Sequence, residues 1–368
     1  MCLSYSWLEW GMSGKPKPTI RDVARLAAVS TATVSAVING TKNVSSKREK
    51  RVRDAMEVLD YYADQNARSL RTGQSRVIGA VIPDLTNTFY AEVLAGAEEA
   101  AAAAGYSFFL CNSNEEPAQE RRHLDMLFSH RVEAVLIACC DSSTAYDRLL
   151  RRRFPLVFFD RIPHGSHATA VVTDNQAGGY AATQHLLKQG HEAIAIIVGS
   201  LDRSTHAHRL DGYRMAMQEA GLPIRSEYCG LGGLSIETAY GFTVDLFRSS
   251  KPPTAIFCSS NKLLLGCVRA LGQLGLRCPE DVSIVGYDDF PWNESFHPPI
   301  TTVAQPNREM GRKAMELLFH QINARRENRA VSDQAVMLPP TLRVRSSTAP
   351  VSAARKTISK VVESGKLV

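Results

Sequence analysis

The stretch TIRDVARLAAVSTATVSAVING, residues 19–40, decides how this chain is organised. Thr19 is placed to cap a first helix, in which Ile20, Val23, Ala24 and Ala27 repeat at i, i+3, i+4, i+7, the stripe of a helix with one buried face. Ser30 is placed to cap a second helix, with Val34, Val37 and Ile38 turned inward and Gly40 ending it. Ala28 and Val29 make the tight turn between them. The outer face of the second helix is Thr31, Ala32, Thr33, Ser35 and Ala36. Small and polar side chains there let the backbone come close to base edges and phosphates in the DNA major groove. Two short helices about a turn also occur as a plain hairpin in a bundle, so the surrounding sequence must choose between the two readings.

Charge chooses. The 368-residue chain has a net charge of +6. Residues 13–76 hold 13 Lys/Arg against 6 Asp/Glu, the first twelve contribute a single acid, and everything from Val77 onward sums to zero. A basic excess confined to the first fifth of a chain marks a polyanion partner rather than a general solubility device. A third helix follows, with Ser46 and Glu49 spaced as a capping box and Val52, Ala55, Met56 and Leu59 on its inner stripe. These elements close an all-α helix-turn-helix head over residues 19–60. Residues 61–75, YYADQNARSLRTGQS, are polar and end in Gly/Ser punctuation, which reads as a linker with a short helical stretch around Asn66–Leu70. Residues 1–18 read as a disordered extension, with either Met1 or Met12 as the start.

From Val77 the pattern changes to apolar runs alternating with amphipathic segments. The runs are VIGAVIPD (77–84), YSFFLCN (106–112), VEAVLIAC (132–139), FPLVFFD (154–160), AIAIIVG (193–199), TAIFCSS (254–260) and VSIVGYDD (282–289). Helical segments fall between them at 91–104, 119–130, 176–189, 210–220 and 262–274. Continuous apolar strands separated by helices predict parallel sheets covered on both faces, here enough for two doubly wound, Rossmann-like lobes. Ligands bind beyond the carboxyl ends of such strands, which singles out Asp84, Asp160 and Asp288. The eight cysteines form no C-x-x-C pair and several lie inside apolar runs, so they read as small buried hydrophobes in a reducing cytosol, with no metal and no cofactor implied. No apolar run is long enough to cross a membrane, and the first twelve residues lack the basic start of a secretory signal. The expected location is cytoplasmic.

The opening stretch resembles the head of the lactose-repressor (LacI/GalR) family, whose pattern is close to T-I-x-D-V-A-x-x-A-x-V-S-x-x-T-V-S-x-V-I-N. The sequence matches at Thr19, Ile20, Asp22, Val23, Ala24, Ala27, Val29, Ser30, Thr33, Val34, Ser35, Val37, Ile38 and Asn39. The likeness continues through 78–101, FFDRIP (158–163), 171–191, 278–290 and 298–306, covering roughly residues 19–346. It implies a DNA-binding repressor of transcription that sits on a palindromic operator as a homodimer. Its effector-binding core would resemble periplasmic sugar-binding proteins, with lobe 1 over about 76–173 and 306–329, lobe 2 over about 174–305 and 330–346, and a flexible tail at 347–368.

Site roles carry over by position. The resemblance places Thr31, Ala32 and Ala36 where bases are read, Ser30, Thr33 and Asn39 near phosphates, and Thr19 among the DNA-binding residues. The family commonly has Arg where this chain has Ala36, so a guanine contact is replaced by apolar contact. In the linker, Ala67 and Leu70 would enter the minor groove, Leu70 as a wedge, with Arg68 and Arg71 beside it. In the core, Phe89, Tyr90, Asp160, Arg161, Arg203, Thr205, Arg209, Asn261 and Asp288 would line the cleft. Carboxylates and guanidinium forks there suit a sugar. Where the family often has Asn-Asp, the chain has Ser260-Asn261 followed by Lys262; losing that carboxylate while keeping Arg161, Arg203 and Arg209, with His206 and His208 adjacent, reads as a cationic pocket, hence a sugar or sugar-acid effector. Two other classes remain. A periplasmic solute-binding protein would need a signal peptide and no basic head. An enzyme would need a motif such as a nucleophile elbow, a P-loop or zinc spacing, none of which is present; no catalytic residue is assigned.

Overall fold

The computed structural model describes residues 18–38, 40, 44–62, 74–140, 146, 149–150, 152–163 and 166–351. The chain divides between Ser75 and Arg76 into a small head and a large core.

The head holds α1 (Ile20–Leu26), α2 (Thr31–Ile38) and α3 (Ser46–Val58). Val23, Ala24, Ala27, Val34, Val37, Val52 and Ala55 form its core, the side chains that the helical periodicity turned inward. The third helix starts differently from its sequence reading. Ser45 is the residue before the first turn, no side-chain cap forms there, and Glu49 pairs with Arg53 at 2.6 Å instead of reaching back as a capping box. A Glu one turn from an Arg at i+4 has a competing partner on its own helix face. Asn39 and the linker residues Ala67, Arg68, Leu70 and Arg71 lie outside the described residues.

The core consists of two six-stranded sheets. The first contains β1 (Val77–Ile82), β2 (Ser107–Asn112), β3 (Ala134–Ile137), β4 (Leu156–Phe159), β5 (Ala170–Thr173) and β11 (Ala335–Leu338), in the order β11-β5-β4-β3-β1-β2. The second contains β6 (Ile194–Val198), β7 (Cys229–Leu231), β8 (Ala255–Cys258), β9 (Ser283–Tyr287), β10 (Thr301–Ala304) and β12 (Thr341–Arg343), in the order β12-β10-β9-β8-β6-β7. All pairings are parallel except β10 with β12. The central strands are buried on both faces because helices cover both sides: α4 (Thr88–Ala103), α5 (Pro117–Ser129) and α10 (Asn307–Arg326) on the first sheet, α6 (Asn175–Lys188), α7 (Ser204–Glu219), α8 (Ile236–Arg248) and α9 (Asn261–Gln273) on the second. Each lobe therefore has two apolar layers separated by its sheet.

The chain passes between lobes three times: after β5, after β10 and between β11 and β12. The last crossing corrects the sequence-based division. Residues 330–346 do not all belong to lobe 2, because β11 extends the first sheet beside β5, Ala335 opposite Ala170, before β12 returns to the second. The first residues of the tail are corrected too, while 352–368 lie outside the described residues. Ser347 is fully buried, its carbonyl accepts the Ile284 N–H at 2.9 Å, and the Ala349 carbonyl lies 3.0 Å from His191 Nε2. Side chain and backbone hold the segment together: Ser347 Oγ accepts the Thr301 N–H at 2.8 Å and donates to the Ile284 carbonyl at 2.7 Å.

Candidate functional site

In the head, Thr19 caps α1 reciprocally with Asp22. Its backbone N–H donates to Asp22 Oδ2 at 2.9 Å and its hydroxyl donates to the same oxygen at 2.7 Å. These two bonds hold the Asp22 carboxyl below the usual aspartate range. The Thr19 hydroxyl proton is thus committed within the chain to the cap of α1. At α2, Ser30 Oγ accepts the Thr33 N–H at 3.1 Å, fixing the N-terminus of the helix. Thr31 and Ala32 are exposed at that end, and Thr33, Ser35 and Ala36 are half-buried. The turn closes with Ala28 at φ 47°, Val29 N–H returning to the Ala24 carbonyl at 3.0 Å, and Arg51 of α3 donating to the Ala28 carbonyl at 3.1 Å. The result is a rigid two-helix corner presenting small side chains beside the basic residues of α3.

In the core, the carboxyl ends of the strands face a cleft between the lobes. Asp160 follows β4 and Asp288 follows β9, and both adopt left-handed backbone conformations, φ 63° and 71°. Such conformations cost energy for a non-glycine residue and concentrate at functional sites. Arg209 is the counterion between them. It enters from α7, whose backbone touches that of α6 where Gly179 and Gly212 leave no room for a Cβ. That close approach sets Arg209 Nε 2.7 Å from Asn175 Oδ1 and its Nη1 2.7 Å from the Ser259 carbonyl, with the guanidinium 3.6 Å over the Tyr287 ring. Burial pushes both Asp160 and Asp288 above the usual aspartate range; the positive arginines and the hydrogen bonds from Tyr90 and Gln305 oppose it. Asn261 begins α9 and donates to Asn87 Oδ1 of the other lobe at 3.1 Å. Thr205 is buried on the first turn of α7.

Phe89 and Tyr90 are buried in the first lobe's apolar cluster, which also takes in Phe290 and Trp292 from the second. The rings meet edge to face at 5.1 Å, and Tyr90 reaches the site through its hydroxyl, 3.0 Å from Asp160 Oδ2. Both rings sit at the lobe boundary, packed rather than open.

The cationic reading of the pocket needs correction. Glu115, which sequence reasoning missed, accepts both Arg161 nitrogens, at 2.8 and 2.9 Å, and pairs across the cleft with Arg203 at 3.1 Å. Burial alone would raise Glu115, but Arg161 and Arg203 carry it below the usual glutamate range. Lys262 pairs across the cleft with Asp84 at 2.5 Å. His206 is buried, and burial together with Arg209, Arg161 and Arg203 pushes its imidazole well below the ordinary histidine value, so it is neutral near pH 7. His208 is exposed. Asp84, Glu115, Asp160 and Asp288 therefore balance Arg161, Arg203, Arg209 and Lys262. The signal for Glu115 was available, since it lies just past the carboxyl end of β2, the same rule that selected Asp84.

A helix-turn-helix head followed by a two-lobed core with a polar, charge-balanced cleft defines the class: a DNA-binding regulator with an effector-binding domain. Residues 75–339 match the model for periplasmic binding proteins and the sugar-binding domain of the LacI family, and residues 19–64 match that for bacterial regulatory proteins of the lacI family. The chain belongs to the LacI family. It is 37% identical over 330 residues to the HTH-type transcriptional repressor PurR of Actinobacillus pleuropneumoniae serotype 3 (strain JL03), covering 89% of this chain and 98% of that one. Among solved structures it resembles the lac repressor dimer bound to operator and the anti-inducer ONPF, at TM-score 0.79 and 25% identity, covering 91% and 100% of the two chains. It also resembles the transcriptional regulator CelR in complex with cellobiose, at TM-score 0.67 and 30% identity, covering 90% and 99%. Among the described residues no helix is long and apolar enough to cross a membrane.

Proposed function

We propose that this chain is a cytoplasmic repressor that binds a palindromic operator as a homodimer and responds to a sugar-like effector in the interlobe cleft. The observation that carries the effector class is the pair of strained aspartates, Asp160 and Asp288, set about the Arg209 fork. Two carboxylates and a guanidinium in a buried cleft hold several hydroxyls in one orientation. The balanced charge favours a neutral polyol over a sugar acid, and the cellobiose complex of CelR supports the same class. Arg161, Arg203, Thr205, Asn261, Phe89 and Tyr90 complete the proposed lining.

On the DNA side, Thr31, Ala32 and Ala36 read bases, Ser30, Thr33 and Asn39 meet phosphates, and Ala67, Arg68, Leu70 and Arg71 form a hinge that orders on the minor groove. Dimerisation is supported by the first sheet's edge strand β2, where Phe109 is 38% and Leu110 45% exposed, an apolar edge that a second copy would cover. No catalytic role is proposed.

The test is a thermal-shift screen of neutral sugars, sugar acids and purines on the full-length chain, followed by gel shift on its own upstream DNA. A neutral sugar that raises the melting temperature, changes operator affinity and loses both effects in Asp288→Asn is the expected result. A purine or sugar acid as the sole hit overturns the effector class. Binding of DNA with no salt dependence and no site preference overturns the regulator reading.

A further inference from the structure

The first lobe's sheet has a second pole. Its strands' carboxyl ends form the cleft, whereas at their amino ends, beside β4 and β11, lies a separate cavity of about 540 Å³. Its floor is apolar: Leu150, the half-buried Phe154 and the buried Leu156. Its rim is basic: Arg152 and Arg153 from the turn before β4, Arg325 and Arg329 from the end of α10. Two left-handed residues shape that rim. Arg153, at φ 50°, closes one turn with its N–H on the Leu150 carbonyl at 3.0 Å. Asn328, at φ 52°, ends α10 as the Arg329 N–H returns to the Ala324 carbonyl at 2.8 Å.

A few basic side chains at a helix C-terminus are ordinary, since that end carries about half a negative charge. Glu327, which holds Arg329 at 2.6 Å, and Asp333 add two more negative charges. Four guanidiniums still exceed this by about one and a half charges. A fifth, Arg326, is already taken by Glu133 at 2.7 Å. Among the described residues Arg152, Arg153 and Arg325 make no ion pair with a carboxylate, and Arg325 lies over the Phe154 ring at 5.3 Å. Planar forks of this kind match phosphate oxygens in pairs. A concave floor with an aromatic ring, in a volume typical of small-molecule sites, suits a ligand with a ring and a phosphate better than the backbone of a duplex.

We infer that this cavity is a second effector site, for a small phosphorylated ligand of the nucleotide type, its ring against Phe154 and its phosphates on Arg152, Arg153 and Arg325. The 20-residue α10 begins just after Gln305, which donates to Asp288 at 2.6 Å, and ends at this cavity, so one rigid element links the two sites and gives them a route to couple.

Isothermal titration of the full-length protein with ATP, and separately with tripolyphosphate, tests it. One ATP per chain is expected, with Arg153→Ala/Arg325→Ala lowering affinity at least about tenfold. Phe154→Leu lowers ATP affinity and leaves tripolyphosphate unchanged, and Asp288→Asn in the cleft retains ATP binding. If the double alanine variant does not fold, Arg153→Lys/Arg325→Lys replaces it, keeping charge and losing the forks. No ATP heat at millimolar concentration overturns the inference. So does ATP binding abolished by Asp288→Asn but not by the arginine variants, which would place it in the cleft. Weaker operator binding by the arginine variants without ATP would also overturn it, assigning the arginines to DNA phosphates.

Discussion

Ala28 sits where the α1–α2 corner turns through a left-handed conformation, φ 47°. An L side chain pays about 1 kcal/mol or more there that glycine does not, partly returned by glycine's larger unfolded entropy. Ala28→Gly should therefore stabilise the head by roughly 0.5 kcal/mol, read as slower amide hydrogen exchange in α1 and α2 of the full chain; unchanged or faster exchange would contradict the strain argument. His206 makes a second residue-level prediction. Its folded value lies well below the ordinary 6.5, so below pH 6.5 the unfolded chain binds a proton that the folded chain refuses. Core stability is then complete above pH 6.5 and falls with acidification by about 1.4 kcal/mol per pH unit until the folded value is reached. Arg209, Arg161 and Arg203 add to the burial penalty on the imidazole, and the Ser259 hydroxyl lies 3.5 Å from its Nδ1. His206→Gln should flatten the profile between pH 6.5 and 5 in denaturant unfolding; an equally steep profile in that variant would move the effect elsewhere.

At the level of elements, the cleft is fastened by pairs that join segments far apart in sequence, Lys262 at the start of α9 with Asp84 and Arg203 with Glu115. Both carboxylates sit below their usual ranges, because the partner cations and hydrogen bonds outweigh burial. The Lys262–Asp84 pair is part-exposed, so its coupling should be modest, about 0.5–1 kcal/mol. A double-mutant cycle with Lys262→Ala and Asp84→Asn, read by thermal unfolding at low salt, should return that coupling and lose most of it at 1 M salt; strict additivity at low salt would remove the fastening. These pairs also mark the boundary of what the sequence could tell. The buried strands β1, β3, β4, β6, β8 and β9 were legible because each is an unbroken apolar run, and α1 and α2 because one face repeats at helical spacing. The short strands β7 and β11 were not, since Cys229–Leu231 is only three residues and β11 exposes alternate side chains at an edge. The strand-end rule and the family pattern pointed to Asp160, Arg209 and Asp288, which the fold brings to one cleft. Asn175 and Tyr287 were not legible, because their roles depend on an arginine that only the fold brings beside them, whereas Glu115 lay within reach of the strand-end rule and was passed over.

For the whole molecule, the first sheet ends on one side in β2, an edge with Phe109 and Leu110 in the open. If that edge meets a second copy, Phe109→Asp should shift the protein from dimer to monomer in light scattering and weaken operator binding in parallel, since one head grips only half a palindrome. A variant that remains dimeric would locate the interface on another face. The three crossings between lobes have a consequence for how the molecule is made. During synthesis the first sheet lacks β11 until Leu338 has emerged, and the second lacks β12 and the buried Ser347 until a few residues later. The two sheets are thus completed within about ten residues of each other, so the two halves of the core mature almost together. A stop codon ahead of Ala335 would spoil both at once.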